Sequence, residues 1–303
     1  MPDYGHEIEF GYFLTPDAGD PDGVLMTARL ADQLGYDLLG VQDHPYQRRH
    51  LDALALLGMI LASTERIRAF QAVGNLPLRP PAVFAKAAAT LDVLSGGRFE
   101  AGLGAGGFLE PAHAMGAPAL TPGESIDALE EAVEILRESW NGVRSIRHHG
   151  RHYQLEGMKP GPSPAHPIEI WLGAAKPRAL ALTGRAADGW VAPMMIYMPP
   201  PEIPPAEELI DAAAREAGRD PRAIRRVYIV SGEFTPVAPA PARETDQTIV
   251  GPPGHWVEAL THFALDLGFS TLILATPPDL DTLRTFIEDV APQVRERVAA
   301  ARG

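Results

Sequence analysis

The chain has 303 residues, with 26 basic against 39 acidic side chains for a formal charge of −13, and it has no cysteine. That balance disfavours a nucleic-acid or anionic-membrane footprint, and the lack of thiols excludes disulfides, thiolate metal sites, iron–sulfur clusters and cysteine nucleophiles. No run of about 18 apolar residues is present to span a bilayer, and the opening MPDYGHEIEF is acidic, without the basic and apolar stretches of a secretory signal. A cytoplasmic enzyme is expected. The length equals about two average domains, but α/β barrels hold as much in one, so 1–303 reads as a single domain.

Eight short apolar segments predict strands: Glu9–Leu14, Leu38–Gln42, Ile67–Val73, Phe99–Leu103, Glu169–Gly173, Gly189–Pro193, Arg226–Ser231 and Ser270–Ala275. They alternate with amphipathic helical stretches, the grammar of βα units and a parallel sheet. The first strand carries no histidine, which argues against a metal-hydrolase barrel. The second ends on Asp43-His44-Pro45, and the C-terminal end of a barrel strand is where catalytic residues sit. His44 can move a proton near neutral pH and Asp43 can orient it; the alternative is a histidine capping a turn. His50-Leu-Asp52 superficially fits a non-haem iron triad. Asp52 reads better as the cap of Leu51–Ala62, a segment apolar on nearly every side that suits either a bundled core or a second subunit. No metal is expected.

After the third strand, Ala72-Val-Gly-Asn-Leu-Pro-Leu-Arg-Pro-Pro81 is too proline-rich to stay in a sheet, so the backbone breaks there and lines the mouth. The fourth strand runs into Gly102-Leu-Gly104-Ala-Gly106-Gly107. A dinucleotide fingerprint would open a helix at once and meet an acidic strand end about 20 residues on; neither occurs, so the Rossmann reading is rejected. The glycine turn still offers successive backbone N–H groups to an anion. Thr121, Pro122 and Glu124 spell a capped start for a helix over Pro122–Trp140, with Ile126, Leu129, Val133, Leu136 and Trp140 as its buried stripe.

An insertion of about 141–168 comes next, with a hairpin over Ile146–Tyr153, a solvated face of His148, His149 and His152, and a proline-rich return. The fifth strand ends in Trp171-Leu-Gly173-Ala174-Ala175, a second small-residue turn into a helix start. For each turn, plain strand-to-helix packing is the competing reading. Trp190, Met194, Met195 and Tyr197 on and after the sixth strand predict either a substrate pocket or ordinary packing. A long loop of about 235–253 succeeds the seventh strand, and a helix over Gly254–Leu267 carries the stripe Trp256, Leu260, Phe263 and Leu267. Eight such units match a (β/α)8 TIM barrel with insertions, whose long loops gather at the C-terminal mouth.

Four motifs converge in order and spacing: Val41-Gln-Asp-His-Pro-Tyr46, Val73-Gly-Asn-Leu-Pro-Leu-Arg-Pro-Pro-Ala82, Leu94-Ser-Gly-Gly-Arg98 through Gly106, and Ile170-Trp-Leu-Gly173 through Trp190. Through them nearly the whole chain resembles the bacterial luciferase-like monooxygenase superfamily, and within it the branch using the deazaflavin coenzyme F-420. The resemblance implies a luciferase-like TIM barrel, usually a homodimer. It also implies hydride exchange between the deazaflavin and a small organic substrate, with Asp43 bonding the ring system and His44 at the reacting centre. It places a non-proline cis bond at Ala72–Val73, with Gly74 and Asn75 in the same bulge against the ring. Gly104, Ala105, Gly106 and Gly107, with Gly173, Ala174 and Ala175, would hold the phosphate and ribityl tail. Tyr46, Glu110, Trp190 and Met194 would shape the substrate pocket; Glu110 matches a proton donor of some relatives, although Pro111 after it departs from their spacing. The alternative is an FMN-dependent monooxygenase supplied by a separate reductase. Asp43-His44 and an excess of arginine over lysine favour the deazaflavin. A non-catalytic flavin-binding barrel is a third reading, against which His44 and the open turns argue.

Overall fold

The computed structural model describes residues 3–237 and 247–303. Eight parallel strands form the barrel: β1 (Glu9–Leu14), β2 (Leu38–Val41), β3 (Arg68–Gln71), β4 (Phe99–Gly104), β5 (Ile170–Gly173), β6 (Gly189–Val191), β7 (Arg225–Val230) and β8 (Thr271–Leu274). Each pairs with the next and β8 returns to β1, closing the ring. These are the eight predicted strands with shifted ends. β3 stops at Gln71, two residues short of its predicted end, and the chain leaves the ladder at the Ala72–Val73 peptide bond, which is cis.

Outside lie α1 (Pro21–Leu34), α2 (Ala53–Ser63), α3 (Pro81–Ser95), α4 (Pro122–Trp140), α5 (Pro177–Ala186), α6 (Ile203–Glu216), α7 (Pro253–Leu265) and α8 (Ala291–Arg302). The expected caps are present. Thr121 and Glu124 exchange side chain-to-backbone bonds at the start of α4, and Asp52 accepts from Ala55 N at 2.9 Å at the start of α2. In α2, Leu56, Leu57, Ile60 and Leu61 are buried in this chain's own core while Met59 is exposed.

The insertion departs from expectation. Its hairpin pairs Ile146–His149 with Gln154–Met158, running past Tyr153, and only His149 of the three histidines is exposed. Glu131 on α4 is the cause. Its carboxylate accepts the backbone N–H groups of Arg151, His152 and Tyr153 at 2.8–3.1 Å, which draws the hairpin onto the helix and turns His148 and His152 inward. Of the predicted long loop, Ile249–Gly251 pairs with Gly232–Phe234, and residues 238–246 lie outside the described residues.

Because helices cover the outer face and side chains fill the inside, the strands are apolar on both faces. The barrel interior is a cluster of Phe13, Leu38, Phe70, Trp171, Val191, Val227, Ile229 and Ile273. Phe70 and Trp171 meet edge to face at 4.9 Å between centroids. Two bare neighbours make room for them: a Cβ at Gly189 would stand 2.5 Å from the Trp171 ring, and one at Gly40 would stand 3.1 Å from that of Phe70.

The N-terminal end of the barrel is closed by charge. Arg68 bonds Glu9 at 2.5 Å and Glu100 at 3.2 Å, and Arg225 bonds Glu9 at 3.1 Å. His166, from the insertion, donates towards Asp92 at 2.6 Å and Glu100 at 3.2 Å. Its bond to Glu100, with the charges of both carboxylates, outweighs partial burial and raises the imidazole to about 8. A folded-state value above the ordinary one of about 6.5 adds stability that is complete below that pH and is lost as pH climbs through 8. Urea midpoints should therefore fall between pH 6.5 and 9 in the wild type, and His166→Gln should flatten that fall.

Candidate active site

The mouth is organised by the segments leaving β2 and β3. Asp43, two residues past the end of β2, is buried at 3 % exposure. Its Oδ2 accepts from Gln71 Nε2 at 2.9 Å, Asn75 N at 2.9 Å and Arg79 Nε at 2.7 Å, and its Oδ1 from Arg79 Nη2 at 2.7 Å. Arg79 also reaches Asp52 at 2.9 Å. Burial opposes the guanidinium's charge, but the bonds and charges of Asp43 and Asp52 prevail and hold it above its ordinary value. An unpaired buried carboxylate is costly and a bidentate arginine is its natural partner. Asp43 therefore spends its acceptors on tying the proline-rich loop to β2.

The loop so held carries the cis bond. Gly74–Asn75 pairs with Leu103–Gly104 at the end of β4, and the Val73 side chain is pressed between two strand ends. A Cβ at Gly104 would lie 2.9 Å from Val73 Cγ2, and one at Gly173 would lie 2.7 Å from it. These two glycines seat Val73; the turns beyond them are the open part. Gly104 and Gly173 are register partners, so both turns stand side by side on the rim. Among the described residues, the backbone N–H groups of Ala105, Gly106, Gly107 and Phe108, and of Ala174, Ala175 and Lys176, donate to no protein group. Gly106 holds a positive φ of 92°, which glycine adopts freely, and a side chain at Gly107 would meet open space.

His44 follows Asp43 on the segment leaving β2, half-buried. Its Nδ1 lies 2.6 Å from the Tyr46 hydroxyl. Burial, aided by the nearby His50, lowers its pKa against the pull of Asp43, so the imidazole is neutral at neutral pH. Burial and then Asp43 push the Tyr46 phenol up to about 12, so it keeps its proton. Phe108, 58 % exposed, sets its ring edge-on to His44 at 5.7 Å and to Tyr46 at 6.1 Å.

Other predicted residues fall elsewhere. Trp190 is fully buried on the outer side of β6 among the helix-facing core. Its indole N–H donates to Ala174 O at 2.9 Å and its ring stacks on Phe269, so it does not line a pocket. Val191, its neighbour, takes the inward position. Met194 packs at the top of the interior cluster, Met195 is buried outside it and Tyr197 is exposed. Glu110 is exposed on the short helix Leu109–Ala114. Gln71, Arg79 and Phe108 went unforeseen. An arginine inside an apolar, proline-rich loop was the available signal for Arg79.

Residues for a planar, phosphate-tailed cofactor are present. Val73 offers an apolar bulge, Gln71 Oε1 and Asn75 Oδ1 are buried acceptors without a protein partner, and the two turns present unpaired N–H groups suited to an anion. A closed parallel barrel with a neutral histidine and open small-residue turns at its C-terminal mouth has the arrangement in which barrel enzymes place their chemistry. The sequence profile of luciferase-like monooxygenases matches residues 8–243; the chain belongs to that family. It is 30 % identical over 194 residues to an F420-dependent glucose-6-phosphate dehydrogenase of Microbacterium testaceum, covering 61 % of this chain and 56 % of the relative. It is also 30 % identical over 198 residues to the pyrimidine monooxygenase RutA of a Bradyrhizobium species, covering 63 % and 53 %. The chain thus spans just over half the length of these relatives. A solved F420-dependent secondary alcohol dehydrogenase, in complex with an F420-acetone adduct, shares the fold at a TM-score of 0.83 and 19 % identity, covering 95 % of this chain and 99 % of that one.

The Asp43–Arg79 pair should be stability-critical. Removing one partner of a buried pair costs about 3–5 kcal/mol, so Arg79→Met should lower the urea midpoint accordingly. Arg79→Lys, which keeps the charge but loses the fork, should fall between Arg79→Met and the wild type.

Proposed function

We propose that this chain is a deazaflavin (coenzyme F-420) oxidoreductase acting on a small organic substrate. The observation that carries the reading is the gathering on one rim of the Val73 bulge, the two open turns, and the His44–Tyr46 pair, which meets Phe108 at the end of the first turn. When bound, the deazaflavin supplies hydride exchange with the substrate. Val73 backs its ring, and the N–H groups of 105–108 and 174–176 hold its phosphate. Asp43 acts through Arg79 and Asn75 to position the bulge. Donation from the Tyr46 hydroxyl to Nδ1 leaves the His44 proton on Nε2, from which the neutral imidazole donates a hydrogen bond to a developing oxyanion. The family pattern supports a homodimer, and the acidic, cysteine-free composition suits the cytoplasm.

Likeness to a pyrimidine monooxygenase supports a second reading, FMN-dependent oxygenation with a separate reductase. Fluorescence titration of the purified chain with each reduced cofactor decides between them. The deazaflavin should bind at least tenfold more tightly (about 1.4 kcal/mol), and preference for FMN would overturn the choice. His44→Ala should cut kcat by about 100-fold, the scale of a lost oxyanion donor, with cofactor affinity little changed. An undiminished kcat would remove His44 from the chemistry.

A further inference from the structure

The loops leaving β1 and β2 border an open cleft of about 520 Å³, lined by Thr15, Asp17, Gln47, Arg48, Arg49 and His50. That volume suits a small organic molecule. Its walls are stitched together by backbone. Ala18 N donates to Arg49 O at 2.7 Å and Leu51 N to Pro16 O at 2.8 Å, on either side of an antiparallel bridge between Asp17 and His50. Thr15 comes directly after β1, so the cleft opens at the barrel mouth.

Its charge is unusual for so acidic a chain. Two adjacent arginines face one carboxylate, which is partly spent: Asp17 Oδ1 accepts from Gly19 N at 2.9 Å, and its Oδ2 lies 3.9 Å from Arg49. Arg48 has no carboxylate within salt-bridge distance among the described residues. His50 brings the cleft to the site: its Nδ1 is buried with no partner, and its ring lies 6.4 Å from that of His44.

We infer that this cleft holds an anionic group of the substrate, carboxylate or phosphate, with Arg48 and Arg49 as its cations. The inference rests on the redox reading of His44, because the value of an anchor here is that it leaves the rest of a small substrate alongside that imidazole. Guanidinium forks match both anions in geometry, and a fixed anion orients the reacting carbon.

A ligand that binds the folded chain raises its melting temperature by mass action. With saturating deazaflavin present to fill the two small-residue turns, the chain is melted against sodium phosphate and, separately, sodium succinate at pH 7, with chloride holding ionic strength constant. A saturable rise should appear in the wild type, vanish in the Arg48→Gln/Arg49→Gln double variant and survive in part in Arg48→Lys/Arg49→Lys. The larger response to phosphate assigns a phosphoryl group, and the larger response to succinate assigns a carboxylate. Both arginines are exposed, so the double variant should fold, and its deazaflavin affinity should stay within about twofold of the wild type's. No saturable rise with either anion, or an equal rise in the double variant, would overturn the inference. So would a deazaflavin affinity about tenfold weaker in that variant, which would hand the arginines to the cofactor. Failure of the wild type to bind deazaflavin would instead sink the redox reading while leaving the anion measurement standing.

Discussion

One buried ion pair shapes the mouth of this barrel. Asp43 and Arg79 come from different βα units, and their bidentate contact, shared with Asp52 and the backbone of Asn75, ties the chain leaving β3 to the chain leaving β2. Everything at the mouth is referred to that tie. Through Asn75 it holds the short pairing of Gly74–Asn75 with β4, directly after Val73, and His44 follows Asp43 on the same rim segment. Desolvating two charges is repaid only when geometry is good and the remaining lone pairs are used, and Gln71 meets that second condition.

The barrel separates its duties along its axis. At the N-terminal end, carboxylates of Glu9, Asp92 and Glu100 are matched by Arg68, Arg225 and His166. In the middle, aromatic rings fill a space that glycines at 40 and 189 keep clear. At the C-terminal end, backbone donors are left without protein partners. Stability is concentrated low in the barrel and ligand chemistry high, which is the usual division in this architecture.

How much of this was legible depended on whether the signal was local. Strands such as Glu9–Leu14, the Thr121–Glu124 cap and the Asp52 cap were readable because the interactions that make them lie within a few residues. The two small-residue turns were readable as turns, but the reason for Gly104 and Gly173 was not: both make way for Val73, a contact between units that no spacing rule encodes. Trp190 was misplaced because a three-residue strand buried on both faces has no polar alternation to mark its inward side; Val191 points in and Trp190 points out. His148 and His152 of the hairpin were misread as solvated because the pull on them comes from Glu131, 20 residues before Arg151; His149 is exposed as expected. His44 was visible because the end of a barrel strand is informative in itself. Its partner Phe108 comes from another unit and left no trace in the linear pattern.

Trp190 nonetheless bears on the mouth. Its indole N–H grips the carbonyl of Ala174, inside the second small-residue turn, while its ring is clamped against Phe269 from the far side of β6. The turn's amides face outward while a carbonyl among them is anchored from below, much as a bracket screwed to a wall steadies a shelf. The position of this turn is therefore set in part from behind the sheet, at a residue that is not on the rim.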